Sequence, residues 1–278
     1  MTRRCAPPER IVDPDDSRLA DYRILRDGDL LRRRGRFVVE GRTNLRVLLE
    51  HAPLRPESIL LGATAWSALR EELERHATDV PIYLADPPLL ESLVGFSVHR
   101  GALALCARPA AREAGALIRA VRASGGASRI VVLEDVRDAD NVGAIFRNAL
   151  ALGARAVFLS DGCCDPLYRK AIRTSMGASL RVPFARVADL VGFLARLRES
   201  GFVVVAFDPK EPGEALGASF RRIADPVALV VGTEGPGLSA AARAVATRTV
   251  RIAMEPGVDS LNVATAVAIG LHALRGDG

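Results

Sequence analysis

Five short apolar runs in the second half of the chain constrain its fold more than any other feature. Ile130-Val-Val-Leu133, Ala156-Val-Phe-Leu159, Phe202 to Phe207, Ala228 to Val231 and Val250 to Ala253 carry almost no polar residues, and helix-like stretches separate them. A strand without polar alternation is buried on both faces, and parallel strands joined by crossover helices meet that requirement. The expected architecture over residues 129–278 is therefore an α/β parallel sheet covered on both sides. Within it, a helix from Val142 to Leu152 should end at Gly153, and a long apolar helix from about Leu261 to Leu274 should finish the chain.

The first hundred residues have a different texture. Residues 1–17 are rich in Pro, Asp and Arg and read as a loose tail. Then come the basic run Arg32-Arg33-Arg34-Gly35-Arg36, a strand at Phe37–Glu40, a helix through Glu50, a strand at Ser58–Leu61, a helix at Ala65–His76 and a strand at Val80–Leu84. Strands alternating with helices at this spacing suggest a small α/β domain over 18–108 that closes near Cys106. From 109 to 128 the sequence turns to Ala, Arg, Gly and Ser, which reads as a partly helical linker.

Composition excludes several classes. No apolar run reaches the roughly 18 residues of a membrane span, and the N-terminus lacks a secretory apolar segment, so the expectation is a cytoplasmic protein without membrane contact. Cys5, Cys106, Cys163 and Cys164 form no Cys-x-x-Cys pair, and no histidine cluster accompanies them, so neither zinc nor any other metal site is expected. The vicinal Cys163-Cys164 pair reads as a quiet loop element. The net charge of +5 is compatible with a polyanionic partner, and almost all positive charge is arginine, because lysine occurs only at Lys170 and Lys210.

In open parallel sheets, ligands bind beyond the carboxyl ends of the strands, so the loops there carry the chemistry. Three stand out: Glu134 to Asn141 leading into Arg147, Val231-Gly-Thr-Glu-Gly-Pro-Gly-Leu238, and Met254 to Val263. Asn141 stands where a helix N-cap would fall, and capping alone would account for it. Arg147 lies among Ile145, Phe146, Ala149 and Leu150, so it calls for an anionic partner: a substrate, or a structural ion pair with Asp135 or Asp138. The glycines of the second loop allow close backbone approach to a ligand around the single carboxylate Glu234. Their spacing is neither a dinucleotide fingerprint nor a phosphate loop, which argues against NAD and nucleoside triphosphates. In the third loop Ser260 suits an N-cap and Asn262 a first-turn polar residue, and capping explains one of them but not both.

In this order and spacing, the motifs Asn141-Val-Gly-Ala-Ile-Phe-Arg147-Asn-Ala, Val231-Gly-Thr-Glu234-Gly-Pro-Gly-Leu and Ser260-Leu-Asn262-Val-Ala closely resemble the three signature motifs of the SpoU family, the RNA 2'-O-ribose methyltransferases of the SPOUT superfamily. The resemblance spans 130–275. It implies a parallel-sheet SPOUT domain threaded into a trefoil knot that binds S-adenosylmethionine, and a homodimer packed through the knotted region. It further implies that Gly232, Ile252 and Leu261 contact the cofactor, beside Phe207, and that Arg147 is the catalytic arginine with Asn141, Glu234, Ser260 and Asn262 around it. Two positions depart from the family pattern: Ala253 stands where a proline is usual, and Phe207-Asp208 where relatives commonly carry a threonine. Both fall at the adenosine pocket and leave open which side chains line it.

The segment Arg36-Phe-Val-Val-Glu40-Gly41, with His99-Arg-Gly101, looks like the substrate-binding domain of rRNA-modifying members, which is similar to a ribosomal RNA-binding protein. In that setting Arg32, Arg33, Arg34 and Arg36 are expected to contact RNA phosphates. The function implied is methylation of a ribose 2'-hydroxyl in structured RNA, with rRNA favoured over tRNA. Its rivals are a catalytically silent RNA-binding assembly factor on the same fold, and an unrelated α/β enzyme acting on a small nucleotide.

Overall fold

A computed structural model describes residues 7–23, 27–77, 79–94, 101–125, 128–209, 213–217, 220 and 226–275. Contact clustering divides the chain into two units. The first holds Met1–Ala110 with Leu167–Arg181, and the second holds Ala111–Pro166 with Val182–Gly278. The expected contiguous 129–278 unit is thus interrupted: Leu167–Arg181, with its short helix, belongs to the N-terminal unit.

In the N-terminal unit, the strands β1 (Glu9–Arg10), β2 (Arg36–Glu40), β3 (Pro56–Leu61), β4 (Ile82–Leu84) and β5 (Ala102–Ala107) form one sheet in the order β1-β4-β3-β5-β2. Strand β4 runs parallel to β1 and β3, and β5 is antiparallel to β3 and β2. Helices α1 (Asp27–Arg34), α2 (Arg42–His51), α3 (Ala63–His76) and α4 (Pro87–Val94) accompany it. Leu19, Tyr22, Leu30, Val38, Leu60 and Leu103 share one core, in which the Tyr22 hydroxyl and Ser58 Oγ lie 2.8 Å apart.

Residues 7–17 are not the loose tail expected from composition: β1 adds a parallel edge to β4, Ile11 is buried, and Ile11 N–H donates to the Leu84 carbonyl at 2.8 Å. Ion pairs of Arg10 with Asp86 at 2.9 Å and of Arg18 with Glu9 at 2.6 Å hold the same segment.

The second unit is a seven-stranded, all-parallel sheet in the order β10-β12-β9-β11-β6-β7-β8. Its strands are β6 (Arg129–Glu134), β7 (Ala156–Ser160), β8 (Phe184–Val187), β9 (Val203–Phe207), β10 (Glu214–Ala215), β11 (Val227–Gly232) and β12 (Arg248–Arg251). All five apolar runs contribute to these strands, although Phe202 precedes β9 and Ile252 and Ala253 lie beyond β12. Ile130 to Leu133 and Val227 to Val231 are at most 2% exposed, as strands covered on both faces must be.

Helices α5 (Ala114–Ala123), α6 (Ala139–Leu152), α8 (Leu190–Glu199), α9 (Ala240–Val245) and α10 (Val263–Leu274) belong to this unit, whereas α7 (Arg169–Thr174) belongs to the first. The segment 109–128, expected as a partly helical linker, does contain a helix, α5, but that helix packs into the core of this unit. Glu113 caps it, and its Leu117, Ile118 and Val121 sit in the same core as Phe158 and Phe193. Its short amphipathic pattern is hidden by the surrounding Ala and Arg. Among the described residues, no helix is long and apolar enough to cross a membrane.

Helix α10 packs on α6 and β11, and Gly270 sets the distance: a Cβ there would stand 2.8 Å from Phe207 Cζ and 3.0 Å from Leu229 Cδ2. Both neighbours are core side chains with little room to yield. Gly270→Leu is therefore expected to lower unfolding stability by about 1–3 kcal/mol in urea titration, the usual cost of overpacking. An unchanged midpoint would show that this packing tolerates slack.

Candidate functional site

Because every strand of the second sheet runs parallel, the loops after β6, β9, β11 and β12 emerge at one edge. There a cavity of about 430 Å³ opens. Phe207, Gly232, Ile252 and Leu261, the four residues expected at a cofactor, all line it, as do Glu234 and Ser260.

The glycine loop after β11 takes its shape from a reversal. Gly237 N–H donates to the Thr233 carbonyl at 3.0 Å, and Gly235 and Gly237 adopt left-handed φ of 83° and 72°. A Cβ on Gly232 would fall 2.2 Å from the Gly237 carbonyl oxygen, so only glycine allows the two backbone segments this approach. Glu134, at the end of β6, steadies the far side of the loop by accepting from Ser239 N–H at 2.7 Å.

Three motif side chains meet above this loop. Asn262 Nδ2 donates to Glu234 Oε1 at 2.9 Å and to Asn141 Oδ1 at 2.7 Å, and Asn141 Nδ2 donates to the same Glu234 oxygen at 3.1 Å. The two amides thus converge on one carboxylate oxygen from separate helices. Asn262 does more: it is the N-cap of α10, its Oδ1 accepting from the N–H groups of Ala264 and Thr265 at 2.9 and 3.2 Å. Neighbouring Asn148 ties α6 to α10 by donating to the Ala264 carbonyl at 2.8 Å.

Both cap expectations need correction. The N-cap of α6 is Asp138, whose carboxylate accepts from Asp140 and Asn141 N–H, so Asn141 lies in the first turn with its amide free for Glu234. At α10 the cap is Asn262 and not Ser260, which is exposed on the cavity wall.

Arg147 lies on α6 with its side chain exposed, although Ile145, Phe146 and Ala149 beside it are buried. Among the described residues it makes no ion pair or side-chain hydrogen bond. The structural ion pair weighed above is absent: Asp138 is engaged in capping, and Asp135 receives the Ser160 hydroxyl at 2.7 Å and lies 3.7 Å from Arg137. This arginine has its charge to offer outward.

The basic run is less free than its sequence suggests. Arg34 and Arg36 both bind the nearly buried Asp21, Arg36 at 2.6 Å, and Arg36 also binds Glu57 at 2.7 Å. Hydrogen bonding to Asp21 raises the Arg36 guanidinium pKa above its ordinary value. Arg32 Nε donates to the Gly28 carbonyl at 3.1 Å, and Arg33, on the same helix, is exposed. His99 and Arg100 lie outside the described residues.

Sequence reasoning missed an ion pair at the cavity, buried on its carboxylate side. Asp208 is 4% exposed, lines the wall, and accepts from Arg243 Nη1 at 3.0 Å, the same nitrogen donating to the Leu238 carbonyl at 2.6 Å. Among the described residues, Cys106, Cys163 and Cys164 lie outside the cavity lining. Burial raises the thiol pKa of Cys163, and burial with the nearby Asp165 raises that of Cys164 to about 12, so both remain protonated at neutral pH.

The SpoU rRNA Methylase family model matches residues 128–272, just over half the chain, and the protein belongs to that family. It is 38% identical over 271 residues to an uncharacterized tRNA/rRNA methyltransferase of Mycobacterium tuberculosis, covering 94% of this chain and 90% of the relative. Its structure is similar to that of the SpoU methyltransferase AviRb from Streptomyces viridochromogenes in complex with AdoMet, with 25% identity, a TM-score of 0.77, and coverage of 94% of this chain and 97% of that one. An RNA 2'-O ribose methyltransferase is similar at 26% identity and a TM-score of 0.72, over 96% of this chain and 98% of that one.

The convergence on Asn262 separates capping from bridging. Asn262→Ala should lower unfolding stability by about 1 kcal/mol through loss of the cap, and Asn262→Ser, which can cap but cannot reach Glu234, should recover most of it. Equal losses in urea titration would place the stabilisation in the bridge instead.

Proposed function

We propose that this protein transfers a methyl group from S-adenosylmethionine to a ribose 2'-hydroxyl of structured RNA, with rRNA as the favoured target. The observation that carries the reading is the joining of all three motifs: Glu234 and Ser260 line the cavity, Asn141 reaches Glu234 from α6, and on that helix the exposed Arg147 makes no ion pair among the described residues. The cofactor fits the residues present. Gly232 leaves backbone open where any side chain would collide, apolar Phe207, Ile252 and Leu261 suit an adenine, and several carboxylates suit a cationic ligand. When bound, S-adenosylmethionine supplies an electrophilic methyl group on a sulfonium.

The chain's own residues must then make a weak nucleophile competent and hold it in line. A guanidinium keeps its proton at neutral pH, so Arg147 acts as a fork of donors on the developing alkoxide and the adjoining phosphate, and the proton leaves to phosphate or water. Asn141 and Asn262 fix Glu234, and Ser260 adds a hydroxyl at the wall to orient the ribose.

In the same reading, the C-terminal sheet is threaded as the family's trefoil knot, and two copies pair through that region in the cytoplasm. The N-terminal unit presents RNA to the site. Arg32, whose guanidinium donates to the Gly28 carbonyl, is better placed for phosphate contact there than Arg34 and Arg36, which pair with Asp21.

Calorimetry with added chelator should show S-adenosylmethionine binding unchanged by metal removal. Arg147→Ala should keep that binding and its fold while losing methyl transfer. Arg147→Lys keeps the charge without the planar fork, and should lose more than about tenfold in rate, or roughly 1.4 kcal/mol of transition-state stabilisation. An active alanine variant, or tight binding of NAD in place of S-adenosylmethionine, would contradict the proposal.

A further inference from the structure

We infer that Asp208 determines how the pocket recognises its nucleoside, by accepting hydrogen bonds from the ribose hydroxyls of the bound cofactor. This inference rests on the function proposed above. Asp208 stands at the carboxyl end of β9, on the cavity wall next to Phe207. A carboxylate that is 4% exposed is costly to keep charged without compensation, and Arg243 supplies it at 3.0 Å. Arg243 is itself held against the Leu238 carbonyl, at the end of the glycine loop, so the pair joins β9 to that loop.

The charge state of each acid separates their roles. Among the described residues the donors to Glu234 are the neutral amides of Asn141 and Asn262, so no paired cation offsets its field toward the cationic end of a ligand. Asp208 is neutralised by a guanidinium and offers little net field to a cation. A carboxylate offers about four lone-pair sites on two oxygens, so Asp208 can accept from neutral hydroxyl donors while paired with Arg243. A ribose diol is that kind of donor, and the adjoining Phe207, Val250 and Ile252 provide the apolar surface for the attached base.

The test uses the full-length protein and S-adenosylhomocysteine with its 2'-deoxy and 3'-deoxy adenosine analogues, measured by calorimetry without RNA or turnover. The unmodified protein should bind at least one deoxy analogue roughly tenfold or more weakly than the parent, the usual effect of losing a hydrogen bond to a charged group. In Asp208→Asn and Asp208→Thr that discrimination should fall below about threefold, with Arg243→Lys retaining part of it. Thermal unfolding of each variant identifies any that fail to fold, and the analogue series on the unmodified protein needs no variant. If that protein binds the parent tightly and both deoxy analogues equally well, the role of Asp208 is overturned while the cofactor assignment stands. If it binds neither S-adenosylmethionine nor S-adenosylhomocysteine, the cofactor assignment itself fails, and this inference with it.

Discussion

The site depends on one side chain that serves three partners at once. Asn262 starts α10 by accepting two of its free backbone N–H groups, and with the opposite end of the same amide it reaches Glu234 of the glycine loop and Asn141 of α6. Segments more than a hundred residues apart are thereby fixed against each other. An amide suits this position because it accepts and donates together; an aspartate would cap equally well and then repel Glu234. The bond from Asn148 to the Ala264 carbonyl adds a second tie between the same helices, one residue from Arg147. The outward-facing arginine therefore rides on a helix whose position relative to α10 is set twice.

The sheet supplies what that contact needs. Parallel strands deliver their loops to a common edge, and the order β12-β9-β11-β6 brings the loops after these four strands side by side. Gly232 and Gly270 then let backbone and helix approach closely enough to enclose a cavity, the one beneath the glycine loop and the other where α10 meets Phe207. At the wall of that cavity the buried Asp208 carboxylate is paired with the partly exposed Arg243, which joins β9 to the end of the glycine loop.

Much of this was legible in the chain. The central strands announced themselves because burial on both faces leaves no polar alternation, and Gly153 ended α6 in the left-handed conformation expected of it. The edges were not legible. Strand β8 alternates and contains Arg186, β10 is two residues long, and β1 hides in a polar segment behind a single buried Ile11. The caps were misplaced for a related reason: Ser260 and Asn262 are equally good capping residues locally, and only Glu234 and Asn141, distant in sequence, decide between them. The same distance concealed the pairing of Arg34 and Arg36 with Asp21 and of Asp208 with Arg243, since nothing in a linear pattern records which charges meet.

The central claim is the atom that receives the methyl group. Incubating the protein with S-adenosylmethionine and unmodified ribosomal RNA, digesting the RNA to nucleosides and separating them by mass spectrometry distinguishes ribose from base methylation directly. The account predicts a single 2'-O-methylnucleoside, formed stoichiometrically and absent when Arg147 is replaced by Ala. A base-methylated nucleoside, or no modification of ribosomal or transfer RNA by protein that binds S-adenosylmethionine, would contradict it.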